Sequence, residues 1–404
     1  MQRHPDVGVP RVQLFLGHIV RLCTDEGLAN EPDWVLDSTP MWCFGAVLDT
    51  VRLLGDGTGM LVRAWSRATG RPVATLAKEL DVGWVTAPST KGWFGIEWRD
   101  GTARDDVVTR LVAGAFRVIE AVRDGMSTVK RGRVARLRRH CWALLRVIED
   151  DLDETPKGGF TVARRVTANR IVSFTDLEAR QSRKSRSRPF KGYKLHVLGD
   201  AVSGMIAAVC VAPANVHDSK VCPRLARRAK TLRRDLDRLF GDTAYGGSRT
   251  RYLLSGMGVG VVAPVQLVPE RLDRLDKADF TIDFDAHTAM CPAGEMAAST
   301  TVSRSTLVRR FYWPVAVCRA CPMQAACLPN TKRGRRIETE VYEQQLQEAR
   351  SRWEDPEHRL LYRRRAPGER LINSSVRHGA RRAASWGLRA ANLQAHLLAV
   401  AKAA

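Results

Sequence analysis

No run of 18 apolar residues occurs anywhere in the 404-residue chain, so the sequence offers no membrane-spanning helix. Its opening residues, Met-Gln-Arg-His-Pro-Asp, lack the apolar core of a secretory signal, and no lipidation motif is present. Nine cysteines, an odd number, in a chain without a signal point to a reduced, cytoplasmic protein. Acidic residues are also scarce relative to basic ones: 43 Asp+Glu stand against 65 Lys+Arg, a net charge of +22 and a pI near 10.3. Such an excess calls for a polyanionic partner. Nucleic acid fits best, because Lys and Arg neutralise phosphates and release counterions. What remains is ordinary: 44% hydrophobic and 27% charged residues make a globular chain long enough for two or three domains.

The pattern predicts a helix over residues 11–29, then Asp33-Trp-Val-Leu-Asp37-Ser-Thr39, a short β-prone run leading to an acid before Pro40. Residues 41–150 are mostly helical by periodicity. Asp100-Gly-Thr102 reads as a loop and helix cap. The basic segment from Lys130 to Arg139 is a helix with a cationic face, either solvated or against DNA. The acidic cluster Asp150–Glu154 and the Thr155-Pro-Lys-Gly-Gly159 joint read as a solvated linker. Ile171–Asp176 reads as a strand running into acids, followed by a basic stretch over 180–191 suited to phosphate contact. Residues 191–200 and 205–213 read as a hairpin, 236–242 and 258–264 as further strands. Between them, His217 and Asp218 read as a helix cap rather than a catalytic pair.

The stretch Arg238-Leu-Phe-Gly-Asp242-Thr-Ala-Tyr-Gly-Gly247 ends an apolar run in an acid and a glycine turn. In an open α/β sheet that is where ligands and metals collect, although on its own an Asp there is more often a turn residue. Gly-Asp242-Thr-Ala-Tyr-Gly resembles the second-aspartate motif of the DDE transposases of bacterial insertion sequences. Asp37-Ser-Thr resembles their first, with Asp176 as the rival position. Tyr362-x2-Arg365-x3-Glu369 resembles their Tyr-x2-Arg-x3-Glu signature. On one continuous helix these three side chains would share a face. Two departures stand out: Val376 replaces the basic residue expected seven positions after the glutamate, and Pro367-Gly368 is expected to interrupt the helix, displacing Glu369 or starting a new helix there.

The resemblance implies an α/β, ribonuclease-H-like mixed five-stranded sheet flanked by helices, with a helical insertion after strand 1 and a Cys-bearing insertion after strand 5. The implied division is 1–40 (first helix and strand), 41–168 (helical insertion), 169–265 (catalytic core), 266–340 (Cys-bearing insertion) and 341–404 (C-terminal helices carrying the glutamate). Asp37, Asp242 and Glu369 would hold two Mg²⁺, with Mn²⁺ as a substitute. Tyr362, Arg365, Arg183, Lys184, Arg186 and Lys194 would contact DNA. The implied partners are double-stranded DNA (element terminal repeats and target) and a second copy in a homodimer on DNA, without a membrane. The implied setting is bacterial, cytoplasmic and nucleoid-associated. Cys318-x2-Cys321 has the spacing of a zinc knuckle, with Cys291 and Cys327 as further ligands; structural Zn²⁺, free thiols and a disulfide all stay open. Only 36 residues precede Asp37, so the family's upstream DNA-binding domain is expected to be missing. That leaves three readings: an active transposase, a truncated remnant that only binds DNA, and a zinc-bearing nucleic-acid-binding regulator.

Overall fold

The computed structural model describes residues 10–403 apart from 30, 157, 166, 186, 233, 234, 266–273 and 329–331. Arg186, one of the expected DNA contacts, thus lies outside the described residues. The first periodic stretch winds into α1 (Pro10–Asp25), with Leu16 and Val20 fully buried. The run after it forms β1 (Asp33–Trp42), which is longer than expected: Asp37 sits mid-strand rather than at its end. Pro40 is tolerated because its nitrogen faces an edge without a neighbouring strand. Trp42, two residues on, points its N–H away from the sheet to the Arg381 carbonyl at 2.9 Å, and Pro40 shares that side.

A helical layer follows: α2 (Thr50–Thr69), α3 (Val73–Glu79), α4 (Thr90–Phe94), α5 (Gly101–Gly125) and α6 (Arg131–Asp151). Leu54, Leu61, Val108, Leu111 and Leu144 centre a hydrophobic cluster of its own. Asp100 caps α5, as expected, by accepting from the Thr102 and Ala103 N–H groups. The acidic run at the end of α6 is a solvated linker only in part: Asp153 and Glu154 are exposed. Asp150 and Asp151 are buried at the helix end, paired with Arg146 and Arg170. Leu152–Glu154 (β2) then pairs with Phe160–Val162 (β3) across the glycine turn. Residues 171–179 form turns instead of the expected strand; the apolar Ile171, Phe174 and Leu177 pack on the helical layer.

The main sheet has six strands rather than five. The extra one is β4 (Arg180–Ser185), which pairs with the start of β5 (Arg188–Asp200). β5 also pairs antiparallel with β6 (Ile206–Pro213) and with β1 from Trp34 to Trp42. After α7 (Cys222–Leu232), β7 (Arg238–Phe240) lies parallel to β1 over Asp33–Val35; after α8 (Ser248–Ser255), β8 (Gly260–Val262) lies parallel to β7. The order β4-β5-β1-β7-β8, with β6 also on β5, is a mixed sheet flanked by helices and is compatible with a ribonuclease-H-like fold.

Residues 274–340 carry the small ladders β9 (Thr281–Asp283), β10 (Thr288–Met290), β11 (Ser299–Ser303) and β12 (Val308–Tyr312). Two short helices follow, α9 (Val315–Arg319) and α10 (Gln324–Cys327), then β13 (Arg336–Glu340). Phe280, Phe311, Trp313 and Ile337 form their core. The chain ends in α11 (Glu343–Glu354), α12 (Pro356–Leu361), α13 (Pro367–Ser375) and α14 (Leu388–Ala403). Ala391, Ala395 and Ala399 of α14 join Leu16 and Val20 of α1 in the core cluster built on β6. No helix among the described residues is long and apolar enough to cross a membrane.

Candidate active site

Parallel strands advance in step, and the last paired residues of β1 and β7 are Val35 and Phe240. Two residues beyond that last pair stand Asp37, still in β1, and Asp242, just past β7, and both line the same cavity. Val35 belongs to a cluster with Phe240 and Val262 on which Leu361 and Tyr362 pack. That face of β1 receives the C-terminal helices.

The segment carrying Tyr362, Arg365 and Glu369 is not the one continuous helix the spacing suggested. α12 stops at Leu361, Tyr362–Arg365 is a 3₁₀ turn, and α13 begins at Pro367. Proline suits the first turn, where its missing N–H costs nothing. Gly368 lets α13 lie on β1: a Cβ there would stand 2.4 Å from Val35 Cγ1 and 3.6 Å from Asp37 Cβ. The expected displacement of Glu369 therefore does not occur; the alternative, a new helix starting there, does. Arg364 donates to buried Asp33 at 2.5 Å, and Arg365 donates to Asp37 Oδ2 at 3.3 Å. Arg365 and the Tyr362 hydroxyl also stand near enough to influence each other's charge, Arg365 acting to lower the Tyr362 pKa against its burial.

Asp37, Asp242 and Glu369 all line one cavity of about 750 Å³, with Arg365 beside them. Burial pushes the Asp37 carboxyl above its ordinary value; Asp242 and Glu369 add to the rise, while the Ser38 N–H and Arg365 oppose it. Asp242 is likewise raised, by burial first and then by Asp218, against the Ala244 N–H and Arg365. Crowded, partly desolvated carboxylates of this kind favour a bound cation or proton.

The cavity holds a fourth carboxylate that the sequence did not reveal in this role. His217 is a cap, accepting from the Ser219 N–H, but Asp218 turns into the cavity. It accepts from Ser38 Oγ at 2.8 Å and from the Lys194 ammonium. Burial acts to raise Asp218, but His196, Lys194 and Ser38 outweigh it and hold the carboxyl below its usual range. Behind it, His196 is fully buried against the Tyr245 hydroxyl at 3.2 Å and held down to about 4, chiefly by that burial. No local spacing joins Asp218 to Lys194 or Ser38; only the folded sheet does.

Of the expected DNA contacts, Arg183, Lys184, Lys194 and Arg365 reach the cavity wall, while Tyr362 does not line it. The Lys194 charge is taken up by Asp218. Asp176, the rival first acid, is 1% exposed, bonded to the Tyr193 hydroxyl, and outside the cavity wall. Cys291, Cys318, Cys321 and Cys327 line one small cavity of about 30 Å³ with Phe280 and Trp313, and none of the four is in a disulfide. The Arg335 N–H donates to Cys318 Sγ at 3.4 Å. All-oxygen donors in the larger cavity suit Mg²⁺, and four sulfurs suit Zn²⁺. Among the described residues, however, no three such side chains stand at metal-holding spacing.

Residues 290–402 match a family model described as a transposase DDE domain, which supports a DDE-superfamily transposase. No curated protein and no solved structure matches the chain.

Proposed function

We propose, for a chain whose C-terminal part matches a transposase DDE domain, that it cleaves and transfers DNA strands at the ends of an insertion sequence. The observation that carries this reading is the meeting of Asp37, Asp242 and Glu369 in one cavity, from three distant parts of the chain. These acids are the ligands we assign to two divalent cations. When bound, Mg²⁺ or Mn²⁺ supplies activation of the attacking oxygen and stabilisation of the leaving one. In the first step a water oxygen attacks phosphorus and the 3′-oxygen leaves with a proton, giving a 3′-hydroxyl and a 5′-phosphate. In the second, that 3′-hydroxyl attacks a phosphodiester of target DNA and displaces its 3′-oxygen.

The chain's own residues orient this chemistry. Arg365 holds Asp37 and offers its remaining donors to phosphate; Tyr362 steadies Arg365. Arg183 and Lys184 line the cavity from the β4 edge, where Arg and Lys position a backbone without reading bases. We read residues 41–168 and 266–340 as the two insertions, each supported by a hydrophobic cluster of its own, and the working form as a homodimer on DNA.

The test is cleavage of a labelled duplex carrying the DNA that flanks the coding sequence. Wild type should nick it in Mg²⁺ or Mn²⁺; Asp242→Asn and Glu369→Gln should bind it equally well and lose at least a hundredfold in rate, roughly the scale of a lost catalytic group. Unchanged cutting by Asp242→Asn would remove the assignment. A wild type that binds without cutting would leave a DNA-binding remnant.

The four-cysteine cavity we assign to structural Zn²⁺, whose four sulfurs leave no open position for catalysis. Native mass spectrometry should find one zinc per chain, lost in Cys318→Ser; a chain purified with zinc in the medium and carrying none would refute it.

A further inference from the structure

Three large aromatic side chains stand in solvent beside the cavity. Trp42 is 42% exposed, Phe44 45% and Trp386 56%. They are not on loose chain. The Trp42 N–H donates to the Arg381 carbonyl at 2.9 Å, and the Ala383 N–H donates to the Trp42 carbonyl at 2.8 Å, which ties the end of β1 to residues 381–383. Between the two exposed rings, Cys43 is buried, and Gly45 is pressed so close to the 173–176 turn that a Cβ would meet Thr175 Oγ1 at 2.5 Å. This alternation forces Phe44 outward. Its ring meets Trp386 edge-on at 5.0 Å, and Trp42 meets Phe190 edge-on at 6.4 Å. Phe190 and Arg381 in turn line the cavity of the three acids. The shelf therefore starts where the cavity wall ends.

Cations border it. Lys191 and Arg382 lie near enough to the Cys43 thiol to pull its pKa down, although burial pushes it up on balance. Arg183 and Lys184 follow on the exposed edge strand β4. None of these four is in an ion pair among the described residues. A fixed row of π-faces edged by unpaired cations is complementary to one ligand class above others: a strand whose bases are unstacked and whose phosphates run alongside.

Resting on the function proposed above, we infer that Trp42, Phe44 and Trp386 form a stacking shelf for unpaired bases of single-stranded DNA leaving the cavity. It holds the strand end by its bases while the acids face the phosphate. Exposed apolar rings are costly to leave in water, and stacking accounts for their position better than packing does, since each is on the surface although the backbone between them is buried.

The experiment is fluorescence anisotropy of the full chain with two labelled DNAs: a blunt duplex, and the same duplex with a short single-stranded 3′ extension. Trp386→Ala and Phe44→Ala should weaken binding of the extended duplex about tenfold each, within the range of one lost base stack, and change the blunt duplex by less than about twofold. Trp386→Phe, which keeps a ring, should restore most of the difference and controls for folding. Equal losses on both DNAs, or none on either, would overturn the shelf. So would a change of oligomeric state on sedimentation with DNA binding intact, which would make the rings a contact between copies. A wild type that binds the extended duplex and cuts it while the variants match it removes the shelf alone; a wild type that binds neither DNA removes the underlying function as well.

Discussion

Gly368 decides how near the third acid comes to the first. With a Cβ in place, α13 would run into Val35 Cγ1 at 2.4 Å, so the helix would shift off β1 and take Glu369 with it. Gly368→Ala should cost about 1–3 kcal/mol, the usual price of overpacking a tight contact. Thermal unfolding reads that loss, and the cleavage assay should fall further than DNA binding does. A variant with wild-type melting and wild-type cutting would show that the close approach does not matter. Read as sequence, Pro367-Gly368 signals only a helix break. Which neighbour fills the space of a missing side chain is a property of the fold, so the sequence could raise the doubt about Glu369 but not resolve it. Asp218 is the same case in reverse: the cap expected at His217-Asp218 is made by His217, and the place of Asp218 in the cavity was not legible.

At the scale of elements, the junction of α6 and β2 rests on a charge pair that the sequence hid. Asp151 is 1% exposed in its side chain and accepts from Thr50 Oγ1 at 2.9 Å and from Arg170, 19 residues away. Burial raises its pKa, with Arg170 and Thr50 pulling it back. Arg170→Ala leaves the carboxylate buried without its cation and should cost about 3–5 kcal/mol at neutral pH. The sign follows from linkage. A carboxyl with a raised folded pKa does not destabilise below its unfolded value and does so increasingly as pH rises through the folded one. Losing Arg170 raises the folded value further, so the deficit should shrink on acidification. Denaturant titrations of both proteins at neutral and mildly acidic pH measure this, and a pH-independent deficit would argue for lost packing instead. Four acids in five residues look solvated when counted; Arg146 one turn back and Arg170 further along the chain make Asp150 and Asp151 part of the interior, while Asp153 and Glu154 stay exposed. Strand β4 escaped for a related reason. Its six residues, Arg-Gln-Ser-Arg-Lys-Ser, carry no apolar period, and only pairing with β5 makes them a strand. Charges on an edge strand also guard it against pairing with other chains.

For the whole molecule, the strongly apolar strands β1, β5, β6, β7 and β8 were legible because burial on a sheet leaves a mark in composition, and so were the long helices with 3.6-residue periodicity. The three acids could be picked out by motif, and their meeting in one cavity came only with the parallel register of β1 and β7 and the seating of α13. The basic charge pointed to nucleic acid without saying where it would lie; Lys194 is consumed inside the cavity by Asp218, while Arg183 and Lys184 line the same cavity from the exposed edge strand β4.

α1 and α14 close on each other over β6, and α13, which carries Glu369, follows far behind β1 and β7 in the chain. During translation, Leu16 and Val20 of α1 emerge long before their alanine cover from α14. A growing chain thus holds an open apolar seam while everything between those helices is made, and can neither seal its sheet nor complete its trio of acids until α13 and α14 have left the ribosome.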